Sequence, residues 1–191
     1  MKSRFEEIIR SLSQNGITFD AGLNSEEISF AEKQYQVNFP PDLREFLMTA
    51  LPVSKGFYNW RDYSLQNCEI IHDALGKPLE SLYFDVEENA FWWNAWGKRP
   101  ENLDDAKALA AKHLSKVPTL IPIYLHRYIP SVPNEPGNPI ISMWQMVDSI
   151  YYGNDLIDYF EMEFLHKKLD IQYPPLRHIP FWSELIENAN L

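Results

Sequence analysis

Residues 22–51, GLNSEEISFAEKQYQVNFPPDLREFLMTAL, predict two short helices that meet at a proline corner. Asn24 can cap the first helix, and Glu27, three residues later, can reach back to the Asn24 amide. The residue before a proline avoids the helical region, so we expect this helix to end before Phe39. Pro41 suits the first turn of the second helix, where its missing N–H costs nothing. This helix–corner–helix unit therefore decides how the fold begins.

The composition is that of a folded globular protein with an acidic surface. The chain has 191 residues, enough for one sizeable core, with 45% hydrophobic and 23% charged residues. Its net charge of −10 disfavours nucleic-acid binding, which depends on neutralising phosphates, and favours a basic protein partner. The alternative is that the acidic surface only keeps the protein in solution.

The chain carries no sequence signal for export or for a membrane. Cys68 is the one cysteine, which excludes an internal disulfide. The N-terminus lacks the apolar stretch of a signal peptide, and no apolar run approaches the roughly 20 residues that cross a bilayer. We therefore expect a cytoplasmic protein that does not bind membranes.

Hydrophobic periodicity predicts an α+β fold with a largely antiparallel (mixed) sheet flanked by N-terminal and C-terminal helices. We expect the sheet to pack on one face, and Pro122 to confine its strand to an edge or to a strand start. Strands are predicted at 119–125, 139–146 and 148–152. Helices are predicted at 4–14 and at 103–116. Two more are predicted, one that follows a cap at Asn154 and one that starts at Pro180. Segments 67–75 and 78–86 are ambiguous between helix and strand.

Two parts of the chain resemble the SUKH superfamily, the Smi/Knr-type proteins. The first is the opening, with Gly22-Leu23, Glu27-Ile28 and Phe39-Pro40-x-Asp42-Leu43-Arg44-x-Phe46-Leu47 in family order. The second is the series Ile121-Pro122-Ile123, Gly137-Asn138-Pro139-Ile140, Asp148 and Gly153-Asn154-Asp155-Leu156. The resemblance implies a single SUKH-like domain over 1–191, with a subfamily insertion near 89–115.

The same resemblance implies a function, because many members of the family are bacterial immunity proteins. We expect a non-enzymatic binding module that neutralises a cognate toxin, such as a nuclease, by occlusion with an acidic surface. The alternative from the same family is a regulatory scaffold that binds an endogenous protein.

Candidate contact residues follow from residue type, because Trp and Tyr anchor many interfaces and carboxylates suit a basic partner. The tryptophans near 91–96 and the aromatic loop 53–65 have a second interpretation as core residues, since large aromatics usually bury. The run of acidic residues that begins at Asp155 can likewise be a solvated helix face. The candidates are Tyr58, Trp60, Trp92, Trp93, Trp96, His126, Asp155, Asp158 and Glu161.

The sequence contains no convincing catalytic or metal-binding motif, and we predict neither a cofactor nor an enzymatic activity. His126 could approach Asp148 or Asp155 if its strand runs beside 139–152, either for acid–base chemistry or as a polar pair that fastens a loop. Cys68 and His72 would share a helix face at i, i+4, but two ligands do not make a zinc site.

Overall fold

A computed structural model describes residues 4–168 and 177–189. The helices are α1 (Arg4–Gln14), α2 (Ser25–Tyr35), α3 (Pro41–Thr49), α4 (Leu65–Glu88), α5 (Leu103–Leu114), α6 (Leu156–Leu165) and α7 (Trp182–Ala189), with a short 3₁₀ turn at Asn94–Trp96. The strands are β1 (Phe19–Ala21), β2 (Ala50–Pro52), β3 (Leu120–Tyr124), β4 (Arg127–Pro130), β5 (Ile140–Ser142) and β6 (Ile150–Gly153). None of the helices in these ranges is long and apolar enough to cross a membrane.

The opening helix pair forms as predicted. Asn24 Oδ1 accepts hydrogen bonds from the amides of Glu26 and Glu27, both at 2.9 Å, and the Glu27 carboxylate accepts one from the Asn24 amide at 2.8 Å. Pro41 occupies the first turn of α3. Glu32 ties the corner together, because its carboxylate accepts from the Phe39 amide at 2.8 Å and pairs with the next helix through Arg44 at 2.6 Å. Local chemistry therefore sets both helix starts, through a capping box in α2 and a first-turn proline in α3.

The sheets confirm the α+β class. β1 pairs antiparallel with β2, and a second sheet has the antiparallel order β3-β4-β5-β6. β3, with its Pro122, lies at an edge, in agreement with the sequence. β3 does not run beside 139–152, the arrangement that the His126 hypothesis requires, because β4 lies between β3 and β5. The predicted strand 139–146 is also too long, since regular pairing ends at Ser142.

Both faces of the second sheet are buried, whereas the sequence predicts one packed face. Ile121, Ile129 and Ile140 belong to a first hydrophobic cluster with α1, α2, α3 and α6. Their sequence neighbours Leu120, Tyr128 and Ile141 face a second cluster with α4, α5 and α7. Successive side chains of a strand point to opposite faces, so a continuous apolar run indicates burial on both sides.

A single helix, α4, replaces the two ambiguous segments and runs straight through Pro78. Proline removes one amide donor from a helix, and the carbonyl four residues earlier then loses its partner. Here that carbonyl belongs to Ala74, and it accepts a hydrogen bond from the Tyr128 hydroxyl at 3.3 Å. A contact from the sheet therefore satisfies the acceptor that Pro78 leaves open.

Candidate functional site

A wide groove lies between the middle of α4 and the chain turns at 124–127 and 142–145. We call it the α4 groove; its volume is about 900 Å³. The wall formed by α4 carries charged side chains, and the facing wall is mainly aromatic and apolar apart from His126. The residues that line the groove include Tyr58, Asp73, Lys77, Glu80, Leu125, His126, Tyr128, Met143 and Trp144.

Trp144 dominates the rim of the α4 groove, with 67% of the residue exposed. The Lys77 ammonium lies 5.7 Å from the centroid of its ring, in the range of a cation–π contact. The His126 ring meets the indole edge-on, at 5.7 Å between centroids. The same ammonium pairs with Glu80 at 3.2 Å. The groove thus holds a cation against an aromatic face and a carboxylate.

Tyr58 positions the turn that carries His126. Its hydroxyl donates to the Leu125 carbonyl at 2.6 Å, and the Leu125 amide donates to the Gly56 carbonyl at 2.9 Å. Leu125 takes a left-handed conformation, with φ of 47°. Burial raises the pKa of Tyr58 to about 12, so the phenol stays protonated and remains a donor near neutral pH. Tyr58 therefore stabilises the turn that carries Leu125 and His126 into the α4 groove.

His126 is half-buried in this groove. Burial lowers the pKa of His126, the adjacent Arg127 guanidinium lowers it further, and the Glu163 carboxylate only partly opposes them. The imidazole is consequently neutral at neutral pH. Asp155, which with Asp148 is one of its two candidate partners, caps α6 by accepting from the Asp158 amide at 2.8 Å. The cap of this helix is therefore Asp155 and not Asn154.

A second groove, which we call the aromatic groove, has a volume of about 710 Å³. It is lined by Phe91, Trp92, Trp93, Asn94, Ala95, Val147 and Leu185. Trp92 and Trp93 are half-buried and reach solvent in part. The indole N–H of Trp92 donates to the Gly97 carbonyl at 2.7 Å, and the Trp93 ring lies 5.5 Å from that of Phe181. Two predicted contact residues therefore lie side by side in one concave surface.

Trp60 and Trp96 do not lie on a contact surface, and their predicted partner-binding role is wrong. Trp60 is 2% exposed and packs edge-on against Tyr35 and Phe39. Trp96 is 9% exposed and stacks on Phe181 at 6.0 Å. For these two side chains, the alternative interpretation as core residues is correct.

The acidic residues at the start of α6 are engaged within the chain. Asp155 caps the helix, and the Asp158 carboxylate accepts from Asn154 Nδ2 at 2.9 Å. Glu161 pairs with Lys167 at 2.6 Å. All three acidic residues are half-buried, so this helix offers less free charge to a basic partner than its sequence indicates.

One loop, 143–149, contributes to both grooves through Trp144 and Val147. Buried side chains of α4 hold it: Ser81 Oγ accepts from the Met146 amide, and the Asp85 carboxylate accepts from the Val147 amide at 3.1 Å. The sequence reasoning missed Trp144 as a surface residue because it falls within the predicted strand 139–146. Nothing in the local pattern separates it from its buried neighbours.

Cys68 and His72 do share a face of α4, next to Tyr35. The Tyr35 hydroxyl donates to Cys68 Sγ at 3.5 Å, and the Tyr35 ring lies 5.2 Å from the His72 ring. Within residues 4–168 and 177–189, no group of three or more His, Cys, Asp or Glu side chains could hold a metal ion.

Comparison with models of known families, with characterised proteins and with solved structures finds no match to this chain. The resemblance to the SUKH superfamily therefore stays a prediction from the sequence.

Proposed function

We propose that this chain is a non-enzymatic binding module that seats a basic protein on the aromatic groove. The observation that carries the proposal is the partly exposed pair Trp92 and Trp93 on a segment anchored by the buried ring of Trp96. Tryptophan is enriched among interface residues that dominate binding energy. A pair held in place before binding loses little further conformational freedom, so its contact area converts efficiently into affinity.

The charge of the chain supports a basic partner. The net charge of −10 attracts a cationic surface over a distance set by the ionic strength. Acidic side chains also lie close in sequence to the groove. Glu88 is exposed at the end of α4, three residues before Phe91. Glu184 precedes Leu185 on α7 and has 41% of its side chain exposed. Exposed carboxylates near a binding surface raise the association rate of a basic protein and disfavour acidic proteins.

The resemblance to immunity proteins supports a specific kind of partner, a bacterial toxin domain. A nuclease domain fits this description, because its nucleic-acid site must be basic. Occlusion of that site by an acidic module would neutralise the toxin without any chemistry on this chain.

Affinity capture with a purified basic toxin domain encoded beside this chain tests the proposal. The wild type, Trp93→Ala and the control Phe30→Ala are immobilised in parallel. Phe30 is a large aromatic residue with 51% exposure, and it lies on α2 away from the aromatic groove. Thermal unfolding of each variant first establishes that the fold is intact.

We expect tight capture by the wild type and Phe30→Ala, release as salt is raised, and an affinity loss of about 30-fold or more for Trp93→Ala. The captured toxin should lose its activity. Equal capture by both variants would refute the assignment to the aromatic groove. Capture of an endogenous protein in place of the toxin would favour the scaffold function.

A further inference from the structure

The α4 groove contains an arrangement that the proposed partner surface does not use. Its helical wall presents Asp73, Lys77 and Glu80. Asp73 and Glu80 are seven residues apart, which corresponds to about 10 Å along the helix axis. Two exposed carboxylates thus stand on either side of one half-buried ammonium group.

Lys77 occupies the groove in the way that a bound amine would. Its ammonium group contacts the face of Trp144 at 5.7 Å and the Glu80 carboxylate at 3.2 Å. Aromatic faces and carboxylates are the two groups that recognise organic cations in proteins. The contacts of the Lys77 ammonium are therefore those that an alkylammonium ligand would make in the same place.

The rest of the groove suits the apolar chain of such a ligand. Tyr128 and Met143 form a buried floor, and Leu125 is 51% exposed at the side. A volume of about 900 Å³ lies in the range of small-molecule sites. His126 adds no positive charge at neutral pH, since burial and Arg127 keep its pKa low.

We propose that the α4 groove binds a small organic cation, a primary alkylammonium compound with an apolar chain, which displaces Lys77 from Trp144 and Glu80. A second ammonium group on the ligand would reach Asp73. An anion is disfavoured, because Lys77, the lysine among the described residues that line the groove, is already paired with a carboxylate and the chain carries a net charge of −10. The inference is independent of the toxin partner, which is assigned to the other groove.

Titration with cadaverine, followed by the indole N–H resonance of Trp144 and by calorimetry, tests this site on the full chain. Pentanediol, which has the same chain length and no charge, is the control ligand. Glu80→Gln and Trp144→Ala remove the two recognition groups. Glu69→Gln is the matched control, because Glu69 is exposed on the same helix and does not line the groove.

We expect saturable binding of cadaverine and none of pentanediol, with an affinity roughly three- to tenfold lower for Glu80→Gln and for Trp144→Ala. Glu69→Gln should bind as the wild type does. Lys77→Met should bind more tightly, because the resident ammonium no longer competes.

Each opposite result overturns the inference. Weaker binding by Lys77→Met would show that Lys77 is itself a ligand, as in an anion site. Equal losses of cadaverine affinity for Glu80→Gln and Glu69→Gln would show that the net charge of the chain attracts the ligand without a specific site. Binding of a lysine-containing peptide without any binding of cadaverine would assign the groove to a protein segment.

Discussion

The buried carboxylate of Asp85 holds the loop 143–149, which contributes to both grooves, and its substitution tests this role most directly. Asp85 is 0% exposed and accepts hydrogen bonds from the Val147 amide at 3.1 Å and from Asn89 Nδ2 at 2.6 Å. The first bond fixes the loop that carries Trp144 and Val147, and the second fixes the end of α4. We expect Asp85→Ala to destabilise the fold and to loosen this loop.

The magnitude follows from the two bonds. A hydrogen bond to a charged group contributes about 1.5–3 kcal/mol, and removing Asp85 also relieves the cost of burying its charge, so we expect a net loss of about 2–4 kcal/mol. For a chain of this size, 1 kcal/mol shifts Tm by about 2–4 °C, so Tm should fall by roughly 4–16 °C. Asp85→Asn keeps one acceptor oxygen but faces Asn89 with a second amide, so its loss should be smaller.

Urea unfolding at neutral pH, followed by circular dichroism, measures these losses. Glu69→Ala is the control, because its exposed carboxylate on the same helix should change the free energy of unfolding by less than about 0.5 kcal/mol. A loss below about 1 kcal/mol for Asp85→Ala, or one equal to that of the control, would refute the view that Asp85 anchors the loop.

Three further predictions concern single side chains. Arg61 donates to Glu27 and to two backbone carbonyls and lowers the pKa of Glu27, so Arg61→Met should cost about 1–2 kcal/mol at neutral pH. That difference should shrink in urea unfolding as the pH falls through the lowered pKa, since protonated Glu27 no longer pairs; a constant difference would contradict it. Gly22→Ala places a Cβ 1.9 Å from the Met48 carbonyl oxygen and should cost more than about 2 kcal/mol in urea unfolding, whereas an unchanged midpoint would show that the backbones can separate. An NMR titration of His126 should give a pKa below the ordinary 6.5, and a value above it would show that the ring is better solvated than its burial indicates.

The starts of α2 and α5 were predictable from the sequence, because a cap is made by residues two or three positions apart. Asn24 and Glu27 form the expected reciprocal bonds, and Asn102 caps α5 through the Asp105 amide at 3.0 Å. The limit of such local reasoning is visible at α6, where the cap is the neighbouring Asp155. The exact cap depends on backbone geometry that the sequence leaves open between adjacent residues.

The continuity of α4 could not be predicted, because the compensation for Pro78 comes from a residue 50 positions away in the chain. The Tyr128 hydroxyl meets the open carbonyl of Ala74 only once the sheet packs on the helix. Strand β4, which carries Tyr128, was missed for a related reason. A short strand is stabilised by pairing on both edges, and its own residues do not indicate which strands will pair with it.

The sequence alone determined the α+β class and the helix pair at the opening, and it limited Pro122 to a sheet edge or a strand start. It also indicated Trp92, Trp93, Tyr58 and His126 as candidate contact residues for a partner. Only the tertiary structure decided which aromatic rings reach solvent, because exposure depends on what packs against a ring and not on the ring itself. Trp60 is buried and Trp144 is exposed for that reason alone. The two grooves exist because a loop held by Asp85 brings together segments that are distant in the chain.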